Sequence, residues 1–235
     1  MPETNAYSEK WFKFFHVSIG EERTAREVEF VCSEAPLPEF RRVLDVCCGM
    51  GRHARALSAR EYAVTGIDRD ARAIARAREL GGGPTYRESD VRSYRPEDNA
   101  YDIAIVMSQS FGHFDSVTNH KILSSIASGL RKGGRLILDL WEPNFFSAHQ
   151  GERDLETSAG IVREKKSVHD GRLFVRLNYP DGAMENFEWE LFTPTRMRAL
   201  AERVGLVLVT ACTNFDADTE PNTANPRIQF VLEKM

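Results

Sequence analysis

The fold of this chain is decided by RVLDVCCGMGRHA, residues Arg42–Ala54. A short apolar run ends in a carboxylate, a turn with two glycines follows, and a helix begins near Gly51. This order predicts the first strand of an α/β sheet, a ligand-binding loop and a helix whose N-terminus faces the ligand. Glycine is favoured where the backbone bends sharply or approaches another molecule.

Two classes of cofactor could bind at this loop. Residues 49–54 fit the pattern G-x-G-x-x-A, with which NAD(P)-dependent oxidoreductases hold a pyrophosphate. Asp45 argues against that ligand, because a carboxylate at the end of the strand would repel the pyrophosphate. The same carboxylate suits the ammonium and sulfonium groups of S-adenosylmethionine, whose own carboxylate would meet the backbone N–H groups of the loop.

Further strand ends support the second ligand. Ala63–Asp68 is a predicted strand whose final carboxylate could accept hydrogen bonds from both ribose hydroxyls. Arg87–Val91 closes a third strand, and Asp90 could accept a hydrogen bond from an adenine amino group. A fourth and a fifth strand are predicted at Tyr101–Met107 and Leu130–Leu140.

This series resembles the class I S-adenosylmethionine-dependent methyltransferases (EC 2.1.1.-). Their usual turn is D-x-G-C-G-x-G, and residues 45–51 read DVCCGMG, so that Cys47 replaces the first glycine. The resemblance covers residues 40–142 well and the C-terminal residues more loosely. It implies one α/β domain over residues 1–235, with a Rossmann-like, mostly parallel seven-stranded sheet in the order 3-2-1-4-5-7-6 and helices on both faces.

The resemblance also implies where S-adenosylmethionine would bind and where its product, S-adenosylhomocysteine, would remain. The methionine part would contact Asp45, Cys47, Gly49, Gly51 and Ser108; the ribose would contact Asp68; and the adenosine would contact Asp90, Val91 and Met107. Arg69 could lie over the adenine or point to solvent.

The sequence MSQSFGHFD, residues 107–115, leaves the fourth strand beside the predicted cofactor. His113 is the candidate catalytic residue, as a general base or an orienting hydrogen-bond partner, although a loop histidine bonded to backbone is the simpler interpretation. The loop lacks the Asn/Asp-Pro-Pro-Tyr-like tetrapeptide of many DNA and protein N-methyltransferases. This absence disfavours a base or a glutamine amide as the acceptor.

Residues 1–38 are predicted to form an N-terminal helical segment. Its first part is rich in aromatic residues: Tyr7, Trp11, Phe12, Phe14, Phe15 and His16. These side chains could simply dock a helix on the domain. In similar small-molecule methyltransferases such a segment is a lid, and Tyr7 would then reach the methionine end of the cofactor.

Residues 144–192 interrupt the alternation of strand and helix. Ile161–Val168, Arg172–Tyr179 and Met184–Phe192 are predicted strands separated by hairpin turns, which indicates an inserted antiparallel unit. The unit could be a substrate lid or a homodimer contact, and its aromatic face favours the lid. A helix from Thr193 and a terminal antiparallel pair of strands at 206–212 and 227–232 complete the predicted fold.

The amino-acid composition limits the classes of binding partner that we expect for this chain. A net charge of −4 weighs against a dedicated nucleic-acid-binding protein. The four cysteines lack zinc-site spacing, so we expect no metal and reduced thiols in a cytoplasm. No membrane-length apolar run is present.

The predicted function is methylation of a nitrogen or oxygen of a small molecule. The alternatives are an NAD(P)-dependent oxidoreductase, a protein or RNA methyltransferase, and a non-catalytic domain that keeps the fold.

Overall fold

The computed structural model describes residue 5, residues 7–15 and residues 20–235. The side chains of Phe12 and His16, expected in the aromatic segment, lie outside this description. The elements in chain order are α1 (Glu9–Phe15), α2 (Glu21–Glu34), β1 (Arg42–Val46), α3 (Arg52–Ser58), β2 (Ala63–Asp68), α4 (Ala71–Leu80), β3 (Thr85–Glu88), β4 (Tyr101–Val106), α5 (Ser116–Gly129), β5 (Leu130–Trp141), α6 (Pro143–Ala148), β6 (Gly151–Thr157), β7 (Gly160–His169), β8 (Arg172–Asn178), β9 (Met184–Glu190), α7 (Pro194–Glu202), β10 (Leu206–Cys212) and β11 (Arg227–Lys234).

The main sheet has seven strands in the order β10-β11-β5-β4-β1-β2-β3. Strands β1 to β5 are parallel to one another, and β11 runs antiparallel to both β5 and β10. With β10 and β11 as its sixth and seventh strands, this sheet has the predicted order, which is confirmed. The parallel arrangement places the carboxyl ends of β1, β2, β3, β4 and β5 along one edge.

Helices cover both faces of this sheet, because its central strands are apolar on both sides. In β1, Leu44 and Val46 pack toward one face, against α5 and α7, and Val43 packs toward the other, against α2, α3 and α4. Close packing on both faces makes the sheet rigid, so the loops at its carboxyl edge begin from fixed positions. In the part of the chain that the structure describes, no helix is long and apolar enough to cross a membrane.

A second, antiparallel sheet contains β6, β7, β8 and β9 in that order. The three predicted strands are present, and β6 was missed. Its sequence GERDLET has Leu155 as its only large apolar residue, so the alternation that marks a half-buried strand is weak. Side chains from α1 and α6 pack against the same face of this sheet, including Trp11 and Phe146.

Several strand boundaries differ from the predictions by one or more residues, among them those of the third and the last strand. The third strand, predicted to reach Val91, ends at Glu88, because the chain turns at Asp90, whose carbonyl accepts the N–H of Ser93 at 3.0 Å and of Tyr94 at 2.9 Å. The last strand continues past Leu232 to Lys234, paired with the start of β10. The first change moves Asp90 and Val91 from a strand into a loop at the carboxyl edge.

Candidate active site

A cavity of about 1220 Å³ lies between the carboxyl edge of the parallel sheet and the inner face of the antiparallel sheet. The loops after β1, β2, β3 and β4 line one side, and strands β6 to β9 line the other. The N-terminal segment contributes Asn5, Tyr7, Trp11 and Phe15 to the wall. One cavity therefore contacts all three parts of the chain that the sequence singled out.

The glycine turn combines three residues with positive φ. Cys47, Gly49 and Gly51 have φ of 58°, 53° and 74°. A Cβ on Gly51 would lie 2.3 Å from the Tyr86 hydroxyl oxygen, so packing as well as φ requires glycine there. A Cβ on Gly49 would meet nothing within 4 Å, so the turn is open on that side. Cys47 keeps the same left-handed backbone, and burial, with the charges of Asp68 and Asp45, raises the pKa of its thiol.

Asp68 stands at the end of β2 with its carboxylate fixed by two backbone donors. Its Oδ2 accepts the N–H of Gly49 at 2.8 Å, and its Oδ1 accepts the N–H of Asp70 at 2.9 Å. Since a carboxylate offers about four lone-pair sites, each oxygen can still accept from a ligand hydroxyl. The side chain lines the cavity, as expected for a residue that binds a ribose.

Asp45 is buried behind the cavity wall, with 1% of its surface exposed. Burial raises the pKa of its carboxyl group to about 7, the charge of Arg52 opposes this shift, and the charge of Asp68 adds to it. The carboxylate accepts the N–H of Ala54 in α3, whereas its Oδ2 has no partner among the described residues. An unpaired buried carboxylate oxygen fits a nearby ligand cation. Direct contact with the cofactor stays a prediction.

The expected adenine-binding residues lie in the loop after β3. The Asp90 carboxylate is held by its neighbour Arg92, whose Nε lies 3.0 Å from both carboxylate oxygens. This hydrogen bonding keeps the pKa of Asp90 below its usual value. Val91, Arg92 and the exposed Arg69 line the same part of the cavity. Arg92 is an additional group here that the sequence did not single out.

The loop after β4 is anchored on Asp139, a fully buried carboxylate in β5. Asp139 accepts the N–H of Ser108 at 3.1 Å and, through its carbonyl oxygen, that of Gln109 at 2.9 Å. Arg227 and Gln229 of β11 donate to the same carboxylate. These bonds hold Ser108 and Gln109 in consecutive left-handed conformations, with φ of 55° and 64°.

Sequence reasoning missed this anchor and a second one at Glu27. Glu27 is fully buried in α2 and accepts from Arg52 and from His53, whose Nε2 lies 2.7 Å away. Burial alone would raise the pKa of Glu27, but the hydrogen bonds from His53 and Arg52 hold it far below its usual range. Arg52 also donates to the Ser108 hydroxyl at 2.9 Å. A carboxylate inside an apolar strand or helix face is the signal that could have revealed Asp139 and Glu27.

His113 and Tyr7 lie together in an aromatic part of the cavity wall. Their ring centroids are 6.2 Å apart, and Trp189 lies 5.9 Å from His113. Burial, together with the charge of Arg69, lowers the pKa of His113 to about 4, so its imidazole is neutral at pH 7. Its Nδ1 has no partner among the described residues. Burial raises the pKa of Tyr7, which therefore stays a neutral hydroxyl.

The cavity brings together most of the residues predicted from the sequence. Eight of them line its wall: Tyr7, Cys47, Asp68, Arg69, Asp90, Val91, Ser108 and His113. The other four, Asp45, Gly49, Gly51 and Met107, are not part of the lining. Met107 is buried at 3% exposure and packs in the core beside β1 rather than against open space.

The sheet order, the glycine turn and the acidic residue after β2 define the class I S-adenosylmethionine-dependent methyltransferase fold. Residues 43–134 match the family described as "Methyltransferase domain". These residues span β1 to the start of β5 and include the glycine turn, Asp68 and the loop after β4. Over these residues the chain is similar to a methyltransferase domain, and the solved proteins with this fold include S-adenosylmethionine-dependent methyltransferases.

Similar proteins agree with this class. A trans-aconitate 2-methyltransferase of Rhizobium leguminosarum bv. trifolii is 28% identical over 186 residues, which are 73% of this chain and 70% of the relative. A solved S-adenosylmethionine-dependent methyltransferase from Clostridium acetobutylicum superposes with a TM-score of 0.77 at 16% identity and covers 97% of both chains. The amino pentose methyltransferase CalS10 from Micromonospora echinaspora, solved with bound S-adenosylmethionine, gives a TM-score of 0.72 at 16% identity, with coverage of 99% of this chain and 100% of CalS10.

Proposed function

We propose that this protein transfers the methyl group of S-adenosylmethionine to a nitrogen or oxygen atom of a small molecule that binds in the same cavity. The cavity itself is the main support. Its volume of about 1220 Å³ exceeds the roughly 300–1,000 Å³ of a typical single-ligand pocket. A donor and a small acceptor can therefore be accommodated side by side.

The residues on the sheet side of the cavity fit the donor. Asp68 presents a fixed carboxylate for two ribose hydroxyls, and Asp90 and Val91 lie next along the edge for the adenine. The open side of Gly49 and the unpartnered oxygen of Asp45 suit the methionine carboxylate and ammonium. Arg52 and Glu27 do not line the cavity. They hold α3 and the loop after β4 in place, because Arg52 donates to both Glu27 and the Ser108 hydroxyl.

When bound, S-adenosylmethionine supplies a methyl group whose bond to sulfur breaks, with the electron pair going to sulfur, as the acceptor lone pair forms the new bond to carbon. The chain mainly has to hold the acceptor in line and exclude water. Aromatic side chains around His113 provide an apolar wall, and the neutral His113 imidazole can accept a hydrogen bond from the acceptor, whereas its low pKa disfavours full proton transfer to it.

We propose that the N-terminal segment and residues 144–192 act together as a lid. Asn5 joins them to the site: its Nδ2 donates to the carbonyl oxygens of His113, at 3.0 Å, and Glu188, at 2.9 Å. Its Oδ1 accepts the N–H of Glu188 at 2.8 Å. This bridge closes one side of the cavity and favours a lid over a dimer contact for the antiparallel sheet. Removing residues 1–16 should therefore weaken cofactor binding in a protein that still folds.

A small acceptor is also supported by the relatives, since trans-aconitate and an amino pentose are both small molecules. The four cysteines are unpaired, which supports a reducing compartment such as the cytoplasm. The acceptor atom could be nitrogen, as the name of the amino pentose enzyme allows, or oxygen, since an organic acid has carboxylate oxygens. The proposed function therefore includes methyl transfer to either nitrogen or oxygen.

The proposal is tested by incubating the protein with methyl-labelled S-adenosylmethionine and separate pools of small amines, alcohols and organic acids, total protein, and RNA. Label in at least one small-molecule pool, with release of S-adenosylhomocysteine, is the expected result. Label confined to protein or RNA would contradict it. A thermal-shift titration with S-adenosylhomocysteine and with NAD distinguishes the oxidoreductase alternative, because only the true cofactor class should raise Tm.

A further inference from the structure

The inner face of the antiparallel sheet forms the wall of the cavity opposite the cofactor residues. Most side chains that it presents to the cavity are apolar: Leu155, Leu173, Val175, Leu177, Phe187 and Trp189. Arg153 of β6 and Glu164 and Lys166 of β7 are charged and line the cavity beside them. We call these three residues the charged triplet.

Lys166 is the most deeply placed of the triplet, with only 6% of its side chain exposed. Its Nζ lies 3.0 Å from the Glu164 carboxylate and 5.2 Å from the centroid of the Phe146 ring. Arg153 lies directly opposite Glu164 in the β6–β7 pair, and its Nε donates to the same carboxylate oxygen at 2.6 Å. Lysine is almost never buried to this degree unless it is paired.

One carboxylate therefore serves two cations. Among residues 5, 7–15 and 20–235, no second carboxylate lies within 4.0 Å of Arg153 or Lys166. On the outer face of the same two strands each cation has a carboxylate of its own, since Asp154 pairs with Arg163 and Glu152 pairs with Lys165. The other charged residues that this sheet presents to the cavity, Arg172 and Glu188, pair with each other. The triplet thus carries the one excess positive charge of this wall.

Arg153 keeps 59% of its side chain exposed, whereas Lys166 is buried and shares its carboxylate with Arg153. A buried cation that is only partly neutralised is costly, and a ligand anion would offset that cost. An ammonium has three N–H donors and a guanidinium five. Glu164 contacts one nitrogen of Arg153 and the single nitrogen of Lys166, so further N–H donors of both residues remain for a ligand in the cavity. A single excess charge matches a carboxylate better than a phosphate dianion. The apolar side chains around the triplet suit a hydrocarbon body.

We propose that the methyl acceptor is an organic acid whose carboxylate binds between Arg153 and Lys166. This inference rests on the proposed function, because it names the substrate class of the same cavity. Lys166 is then a specificity-determining residue for this carboxylate, and a second oxygen or nitrogen of the acceptor, at its other end, receives the methyl group. Glu164 sets the charge of the triplet at one rather than two.

The test uses matched acids and amides as probes: cinnamate with cinnamamide, benzoate with benzamide, and fumarate with fumaramide. Each is titrated by calorimetry into the full chain saturated with S-adenosylhomocysteine. At least one acid should bind about tenfold or more tightly than its amide, since a hydrogen bond to a charged group contributes affinity of that order. Lys166→Met should remove most of this preference. Lys165→Met should keep it, because Lys165 is its neighbour on the outer face with 57% of its side chain exposed.

A second variant increases the excess positive charge of the triplet, which Lys166→Met decreases. Glu164→Gln raises the excess charge to two and should tighten acid binding about threefold or more, which also covers the case in which Lys166→Met fails to fold. The proposal is overturned if no acid binds more tightly than its amide, or if folded Lys166→Met keeps the preference. Binding of S-adenosylhomocysteine alone, measured first, reports on the proposed function separately and should be unchanged in all three variants.

Discussion

Replacing Asp68 with alanine tests the assignment of the cofactor ribose to the end of β2. In the wild-type chain, Asp68 Oδ1 and Oδ2 each accept one backbone N–H, from Asp70 and Gly49. The change removes the proposed acceptor of both ribose hydroxyls and leaves the Gly49 N–H without its partner. The glycine turn then loses one of the bonds that hold it open.

The size of the effect follows from the number of bonds lost. Hydrogen bonds to a charged group contribute about 1.5–3 kcal/mol each, so two ribose bonds amount to about 3–6 kcal/mol. The Kd for S-adenosylhomocysteine should rise by about 10²- to 10⁴-fold. Asp68→Asn should fall between wild type and Asp68→Ala, because the amide keeps one acceptor oxygen but turns N–H donors toward a backbone N–H.

Isothermal titration calorimetry with S-adenosylhomocysteine measures Kd directly, and circular dichroism confirms that each variant is folded. Asp70→Asn is the matched control. Asp70 is an exposed carboxylate two residues away that caps α4 through the N–H groups of Arg72 and Ala73. Asparagine caps helices about as well as aspartate, so this variant should bind like wild type. Wild-type affinity in folded Asp68→Ala would refute the ribose assignment.

Three further predictions concern the glycine turn and the pKa values of two buried side chains, His113 and Asp45. Gly51→Ala should lose about 2 kcal/mol more stability in urea than Gly182→Ala, because both glycines have positive φ but only the first places a Cβ against Tyr86; equal losses would contradict this packing. The unfolded chain binds more protons than the native one at His113 between pH 6.5 and 4, so stability should fall as pH is lowered through that window, and His113→Asn should show a flatter dependence. A ligand ammonium would favour ionised Asp45, so the affinity for S-adenosylhomocysteine should rise as pH increases through about 7, with proton release seen by calorimetry in two buffers. Asp45→Asn should remove that part of the pH dependence, and an unchanged dependence would exclude contact between Asp45 and the ammonium.

The parallel part of the fold could be predicted from the sequence because its signals are local. Apolar runs that end in a carboxylate, with glycine or a capping residue next, give both the strand and the start of the following helix. Asp70 and Asp115 are examples, since each caps the helix that follows it. Strand β6 could not be predicted in the same way, because charged residues occupy most of its positions and Leu155 alone marks its apolar face, although its partner β7 follows after a two-residue turn.

Residues that line the cavity were predictable where they lie at the end of a strand, as Asp68 does, or in the loop that follows one, as His113 does. A residue was not predictable where it acts by contact across the sequence. Glu27 and Asp139 fix the loops of the site from α2 and β5, and the residues that they hold there, Arg52 and Ser108, lie 25 or more residues away in sequence. Asp45 shows a third limit, because a sequence cannot say whether a carboxylate at a strand end faces the ligand or lies behind the turn.

A crystal structure of the protein with S-adenosylhomocysteine tests the central claim most directly, namely that the cavity between the two sheets holds the methyl donor. We predict the ribose hydroxyls within hydrogen-bond distance of both Asp68 carboxylate oxygens, the adenine beside Asp90 and Val91, and the sulfur facing the aromatic wall around His113. A ligand bound outside this cavity, or one whose ribose makes no contact with Asp68, would contradict the account.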